Sequence, residues 1–571
     1  MAAILMKSIY FSLCVTLWAF ILWPAQANAQ TAIQVTSDNF TLSGEMEAAD
    51  AVDMISELER FRSALLEVHD LPADSPERRL DIYVVTDPEI FDILGLSEDF
   101  VALYSPSFAG PRALINGSLP DLEVSNGPSL RRSLRHEYAH HFIYTHLPIA
   151  QPRWLAEGLA EYYAGYKELP DGQFQIGVPD ENISFVLSYP ISGWSDMRGL
   201  FRSFQTISRR PPGTVHLPPE GWTETPDAVS FFYSQSWGLV HWAMNRGGTT
   251  SITEGHEVLG RLAEDLIGME SYLTRGKDVS VPPSLQSWKD SDLELDEIAA
   301  GLVREALGYP LIATESDAET SGTLEEILSN YAAENPPILV RNIRPGRVTA
   351  QVNVKNLSET EAAAVQYRQM SLTAGSRALI NPRMLSLKAQ IESDSEFATS
   401  LLVSQAAQQI STGGTQLALD LLTEANATGI DDPDLEPLSL NVHYGDFINR
   451  NFMNPAPMRD KIRLALLQYP NDPKLLGMMA TTGLGDARDD APFAPEAQAA
   501  LDKLVALDIP KRDPVKALPL VNLHLQLEDY QAALDLLYRA EPFIGSRNFA
   551  FQQTINDVER IIADTSLAPP P

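Results

Sequence analysis

Cysteine is nearly absent: Cys14 is the single one in 571 residues, which excludes a disulfide scaffold and any cysteine-based zinc site. Basic residues are also scarce. Against 76 Asp and Glu stand 42 Lys and Arg, a formal charge of −34, and a chain this acidic repels nucleic-acid backbones and anionic lipid headgroups. Nucleic acid is therefore not an expected partner. Long apolar runs are missing after the first thirty residues, so no membrane span is expected beyond that point. What is present is an ordinary globular composition, 44% hydrophobic and 8% aromatic, in a chain too long for one core.

The N-terminus reads as an address. Lys7 precedes an apolar run from Ser8 to Trp23, Pro24 breaks it, and Ala27-Asn28-Ala29 supplies a small-x-small cleavage site before Gln30. The run is shorter than the roughly 20 residues that cross a bilayer. Residues 1–29 are thus expected to be a removed signal peptide, and the mature protein to be exported, to a bacterial periplasm or beyond, without its only cysteine.

Two halves follow. Residues 30–310 mix strand and helix patterns: strands at Ala32–Thr36, Leu80–Val85 and Arg112–Asn116, an amphipathic helix over Glu45–Val68, and long helices from about Ser129. This is an α+β arrangement. Residues 311–375 read as a linker and transition segment, with the small polar stretch 314–322 and a strand-like piece near Val348–Val354. Residues 376–571 are Ala- and Leu-rich amphipathic helices broken by Pro, Gly and Asp. The segments Gln416–Ala425 and Gln531–Ala540 echo one another after turns at Gly413-Gly414 and Glu528-Asp529, and 469–473 punctuates another pair. An all-α, tetratricopeptide-like (TPR-like) repeat region is expected, with an irregular helical domain as the alternative.

Histidines are few, ten in all, yet four fall between residues 136 and 146. Leu130, Leu134, Tyr138 and Phe142 recur every fourth position, which predicts a helix starting near Gly127-Pro128. On it His136 and His140 stand one turn apart on one face, able to reach one ion, and Glu137 projects beside them as a general base toward a water activated there. A catalytic zinc needs a third protein ligand. The segment after Pro152 reads as a second, antiparallel helix, on which Glu157 and Glu161 share a face. Glu157 is placed to bind the metal and Glu161 to orient a ligand histidine from behind. Downstream, Tyr233 and His241 on a helical stretch from Phe231 are candidate donors to an oxyanion, with plain core packing as the equal alternative. His141 and His146 lie off the ligand face and are expected on the helix surface or behind the ligands. Weaker placements are Ser105–Ile115 as an edge strand for peptide addition and the Pro-rich loop 209–219 as a rim.

The pattern His136-Glu137-Tyr138-Ala139-His140, followed by Trp154-Leu-Ala-Glu157-Gly158-Leu-Ala160-Glu161-Tyr162, resembles the gluzincin metallopeptidases, the clan of thermolysin and aminopeptidase N. It is similar above all to exported bacterial peptidase-MA-like domains, which often precede TPR-like repeats. The resemblance covers about residues 33–300. It implies a thermolysin-like catalytic domain, Zn2+ held by His136, His140 and Glu157, and Glu137 as base in peptide hydrolysis. No Gly-x-Met-Glu-Asn segment is present, so recognition of a free N-terminus is not implied. The expected partners are a peptide or protein substrate and a protein bound on the helical repeats. Two rival readings remain: a scaffold with a structural metal, and a zinc hydrolase of another amide such as peptidoglycan.

Overall fold

The computed structural model describes residues 32–566 except 95–100, 108–109, 119–128, 148–151, 180–182, 184–227, 246–254, 257–258, 261–262, 264–337, 341–350, 375–380, 451–452, 489–491, 508, 510–516 and 545–548. The expected signal peptide, the polar stretch 314–322 and the loop 209–219 lie outside the described residues.

The N-terminal part is built on a mixed six-stranded sheet. Its strands are β1 (Ala32–Thr36), β2 (Phe40–Glu45), β3 (Leu80–Val85), β4 (Ala102–Ser107), β5 (Gly110–Asn116) and β9 (Asn353–Asn356), in the order β4-β5-β3-β2-β1-β9. The β2/β3 and β3/β5 pairs are parallel and the others antiparallel. Between β2 and β3 runs α1 (Ala48–Val68); α2 (Pro88–Leu94) follows β3. The helix expected from Glu45 starts three residues later because Gly44 and Glu45 complete β2. Gly44 belongs in a strand here: a Cβ on it would meet the Val84 carbonyl oxygen at 2.8 Å. The stretch 105–115, expected as one edge strand, is instead most of a hairpin in which β4 takes the edge and β5 is interior.

Strand alternation puts the two sheet faces into separate cores. Leu80, Ile82 and Val84 of β3, with Ala113 and Ile115 of β5, join α1 and the next two helices, α3 (Leu130–His146) and α4 (Arg153–Ala164). A small sheet of β6 (Lys167–Glu168), β7 (Phe174–Ile176) and β8 (Ile338–Val340) flanks them, and α5 (Ala228–Asn245) packs on α4. Val85 and Leu114, pointing the other way, join α2 and the first C-terminal helices, α6 (Glu359–Ala374) and α7 (Pro382–Ile391). Parts of the expected transition segment therefore belong physically to the sheet: β9 extends it beside β1, and α6 covers its second face.

Beyond these the chain is helical: α8 (Ala398–Ser411), α9 (Thr415–Ala427), α10 (Leu435–Asn449), α11 (Pro455–Gln468), α12 (Pro473–Thr481), α13 (Gly483–Arg488), α14 (Pro495–Ala506), α15 (Pro519–Gln526), α16 (Tyr530–Ile544) and α17 (Phe549–Ser566). The turn signals fall where expected. Gly413, at φ 79°, turns α8 into α9; Glu528, at φ 57°, turns α15 into α16; and Asp472 caps α12 from its side chain. Helices pack on their sequence neighbours and also two along, α6 on α8 and α8 on α10.

An ion cluster joins this region to the sheet. Arg112 of β5, fully buried, donates to Asp434 at 2.7 Å, and Arg368 of α6 binds both Asp432 and Asp434 beside the start of α10. Such a buried set is weak as a source of stability but costly to break, because a removed partner strands a charge.

Candidate metal centre

Ser129 caps α3 by accepting from the Arg132 N–H, which makes it the start that Gly127-Pro128 was expected to mark. Leu130, Leu134, Tyr138 and Phe142 all face the core, as their spacing requires. That fixes the rotation of the helix and turns His136 and His140 toward α4, where both are half-buried.

Three ligand atoms converge there. His136 Nε2 and His140 Nε2 are 3.0 Å apart, and Glu157 Oε2 lies 3.3 Å from each. Tetrahedral ligands about 2.0–2.1 Å from zinc stand about 3.3–3.4 Å from one another. Glu157 Oε2 is buried and accepts no well-directed hydrogen bond. Two ring nitrogens and a carboxylate oxygen facing one another suit a cation, and among the described residues this is the one such group of three or more. The donor set, borderline nitrogen plus hard oxygen, fits zinc.

Behind the ligands, Glu161 Oε1 lies 3.1 Å from His136 Nδ1, and its other oxygen accepts from Arg132 at 2.7 Å. A carboxylate there draws the proton to Nδ1 and leaves the Nε2 lone pair for the metal, although the contact is not a well-directed hydrogen bond. Burial opposes the ionisation of both glutamates, yet the cations prevail. Arg132 and His136 hold Glu161 at about 2, and His140 and His136 keep Glu157 well below the usual carboxylate range. Glu137 is different. It is buried beside the ligands, and burial raises its carboxyl despite the pull of His136 and His140. A carboxylate of raised proton affinity suits a general base.

Gly158 explains how the third helix comes so near. A Cβ on it would lie 2.5 Å from the Ser236 carbonyl oxygen of α5. That contact brings Tyr233, one turn earlier on α5, to 6.1 Å from the His136 ring. Burial, then the charge of Glu157, raises the Tyr233 phenol well above its ordinary range, against the pull of the Arg153 cation. Tyr233 is a protonated donor at the edge of the ligand cluster. His241 is not brought there. Two turns farther along α5, it is buried and stacks on Trp237 at 4.5 Å, with Tyr162 edge-on at 6.0 Å. Its helical spacing from Tyr233 carries it along the axis into the core.

The two remaining histidines of α3, expected on the helix surface or behind the ligands, are both turned inward. His141 is buried: its Nε2 meets the Arg78 carbonyl oxygen at 2.9 Å and its Nδ1 meets Tyr104 Oη at 3.1 Å. A carbonyl only accepts, so Nε2 carries the proton; burial lowers the ring to about 4, and Nδ1 therefore accepts from Tyr104. His146 pairs with buried Glu77, which Arg62 also binds. Residues that the spacing did not single out include Arg132, readable as the i−4 neighbour of His136, and Tyr104 of β4, for which no local signal exists.

No helix among the described residues is long and apolar enough to cross a membrane. Set against protein-family models, curated proteins and solved structures, the chain finds no match in any of the three.

Proposed function

We propose that the protein is an exported zinc-dependent peptidase of gluzincin type, carrying a TPR-like helical region that engages a protein partner or presents substrate. The observation that carries this reading is the convergence of His136, His140 and Glu157 at 3.0–3.3 Å with buried Glu137 beside them. His136, His140 and Glu157 would hold the zinc, which when bound supplies Lewis acidity and lowers the pKa of water.

Each protein group then has a task its surroundings support. Glu137 takes the proton of the attacking water and passes it to the leaving amine, for which its raised proton affinity is suited. Glu161, anchored by Arg132, fixes the His136 tautomer. Tyr233 donates to the oxyanion that develops on the scissile carbonyl, its phenol kept protonated by burial. Strand β4, an edge of the sheet as described, offers the carbonyls on its outer side to an extended peptide.

A base at position 137 also weighs against a purely structural metal, which has no use for one. The test is to measure metal content and to incubate the purified protein side by side with denatured protein and isolated cell-wall material. About one zinc per chain and cleavage of the denatured protein, abolished by a chelator and restored by zinc, supports the reading. Release from the cell wall alone points to another amide, and hydrolysis that survives complete zinc removal defeats it.

A further inference from the structure

We propose that Tyr104 is a positioning residue for the metal centre, holding the base, one ligand and the helix that carries both from a single place on β4. Its relevance to catalysis rests on the peptidase reading; its effect on zinc does not.

The strand register sets the geometry. In an antiparallel pair, hydrogen-bonded and non-hydrogen-bonded positions alternate. The Asn116 N–H donates to the Val101 carbonyl at 2.9 Å, so counting along the register makes Leu114–Leu103 and Arg112–Ser105 hydrogen-bonded pairs. Tyr104, opposite Ala113, falls between them, and its N–H and C=O point away from β5. That outward N–H faces the Glu137 carboxylate. The next outward position along the strand is Pro106, which has no N–H to offer.

The side chain makes two more attachments to the same helix. Its ring lies nearly parallel to His140, 6.2 Å between centroids and 16° between planes. Its hydroxyl donates to His141 Nδ1 at 3.1 Å, and His141 is itself tied to the Arg78 carbonyl at the foot of β3. Glu137, His140 and His141 are i, i+3 and i+4 on α3, one face of the helix. The Tyr104 side chain meets His140 and His141 while its N–H faces Glu137, so the distance between base and ligand is set from the strand as well as from the helix. A side chain present only for packing needs neither the nearly parallel ring nor the aimed hydroxyl.

The experiment compares wild type with Tyr104→Phe and Tyr104→Leu, measuring zinc affinity by competition with a chromogenic chelator, kcat and KM on a denatured protein, and the unfolding midpoint of the zinc-free forms. Leu removes ring and hydroxyl. Its zinc affinity is expected to fall about 10–100-fold, the range found when outer-shell partners are lost, with kcat reduced more than KM is raised. Phe keeps the ring beside His140 and is expected to stay within about threefold of wild type in zinc affinity. Leu binding zinc as wild type does overturns the proposal. So does an equal loss in both variants that follows a lowered zinc-free unfolding midpoint, because that is the mark of packing alone. A wild type that binds zinc but cleaves nothing defeats the peptidase reading and leaves the comparison of zinc affinities to decide this one.

Discussion

Two histidine clusters lean on α4, and they are built for opposite ends. In one, His136 and His140 face Glu157 with donor atoms 3.0–3.3 Å apart, and Glu161 and Glu137 stand close by. In the other, His69 Nε2 and His256 Nε2 flank the Tyr163 hydroxyl at 2.8 and 2.7 Å, with the two imidazoles 4.9 Å apart between centroids. A hydroxyl gives one hydrogen bond and takes another, so Tyr163 serves the Nε2 atoms of both neutral rings, although His256 Nδ1 finds no hydrogen-bond partner among the described residues. Burial lowers His69 well below its ordinary value and His256 to about 3. The first cluster holds a buried carboxylate oxygen that no proton donor serves well. Histidines gathered in a core are not enough to hold a metal; a converging anion and ring nitrogens facing one point are what suit one.

The comparison breaks most visibly at the anion. Glu157→Ala removes the third ligand, and zinc affinity is expected to fall by about a thousandfold or more, read by equilibrium dialysis, while Tyr163→Phe leaves it unchanged. Loss of zinc from Tyr163→Phe instead would mean that the two clusters are not separate. Next in size is Gly158→Ala. A methyl group forced against the Ser236 carbonyl moves α5 and Tyr233 away from His136, and kcat is expected to drop about 100-fold with zinc retained. Full activity in that variant would show that the close helix contact has no bearing on catalysis.

Smaller effects probe the second cluster. Tyr163→Phe leaves two buried ring nitrogens without the hydroxyl between them and is expected to cost about 1–3 kcal/mol in denaturant unfolding. The acid limb of stability gives the finest distinction. His256 stays neutral in the fold down to about pH 3, whereas an unfolded chain protonates it near 6.5. Between those values the unfolded state binds more protons, so stability falls as pH falls, by about 1.4 kcal/mol per pH unit for this residue. His256→Gln is expected to flatten the slope by about that amount, read from unfolding at several pH values between 4 and 6. An unchanged slope would place the proton elsewhere.

The uneven legibility of these features in the sequence has a physical reason. Helices α3 and α4 could be read almost to the residue, since a ligand pair at i and i+4, an apolar stripe and a cap are all local. Strands β1 and β3 were equally plain. Strand β2 was hidden because Ser43, Gly44 and Glu45 lack strand character and look like the approach to the next helix. Pairing of β9 with β1 spans over three hundred residues, and Arg112 meets Asp434 across 322, so neither leaves a local trace. The same holds for His69, Tyr163 and His256, separated by more than ninety residues at each step. For His241 the sequence leaves oxyanion donor and core packing equally open, because order along a helix gives the face but not the depth; two turns beyond Tyr233 it stacks on the Trp237 ring.

The central claim is that the first cluster holds zinc in order to hydrolyse peptide bonds, with Glu137 as the base. Glu137→Gln tests it most directly, because the amide keeps size and burial but cannot take a proton. The account predicts about one zinc per chain, as in wild type, with hydrolysis of denatured protein slower by about a thousandfold or more. A Glu137→Gln variant that binds zinc and hydrolyses at the wild-type rate would contradict it.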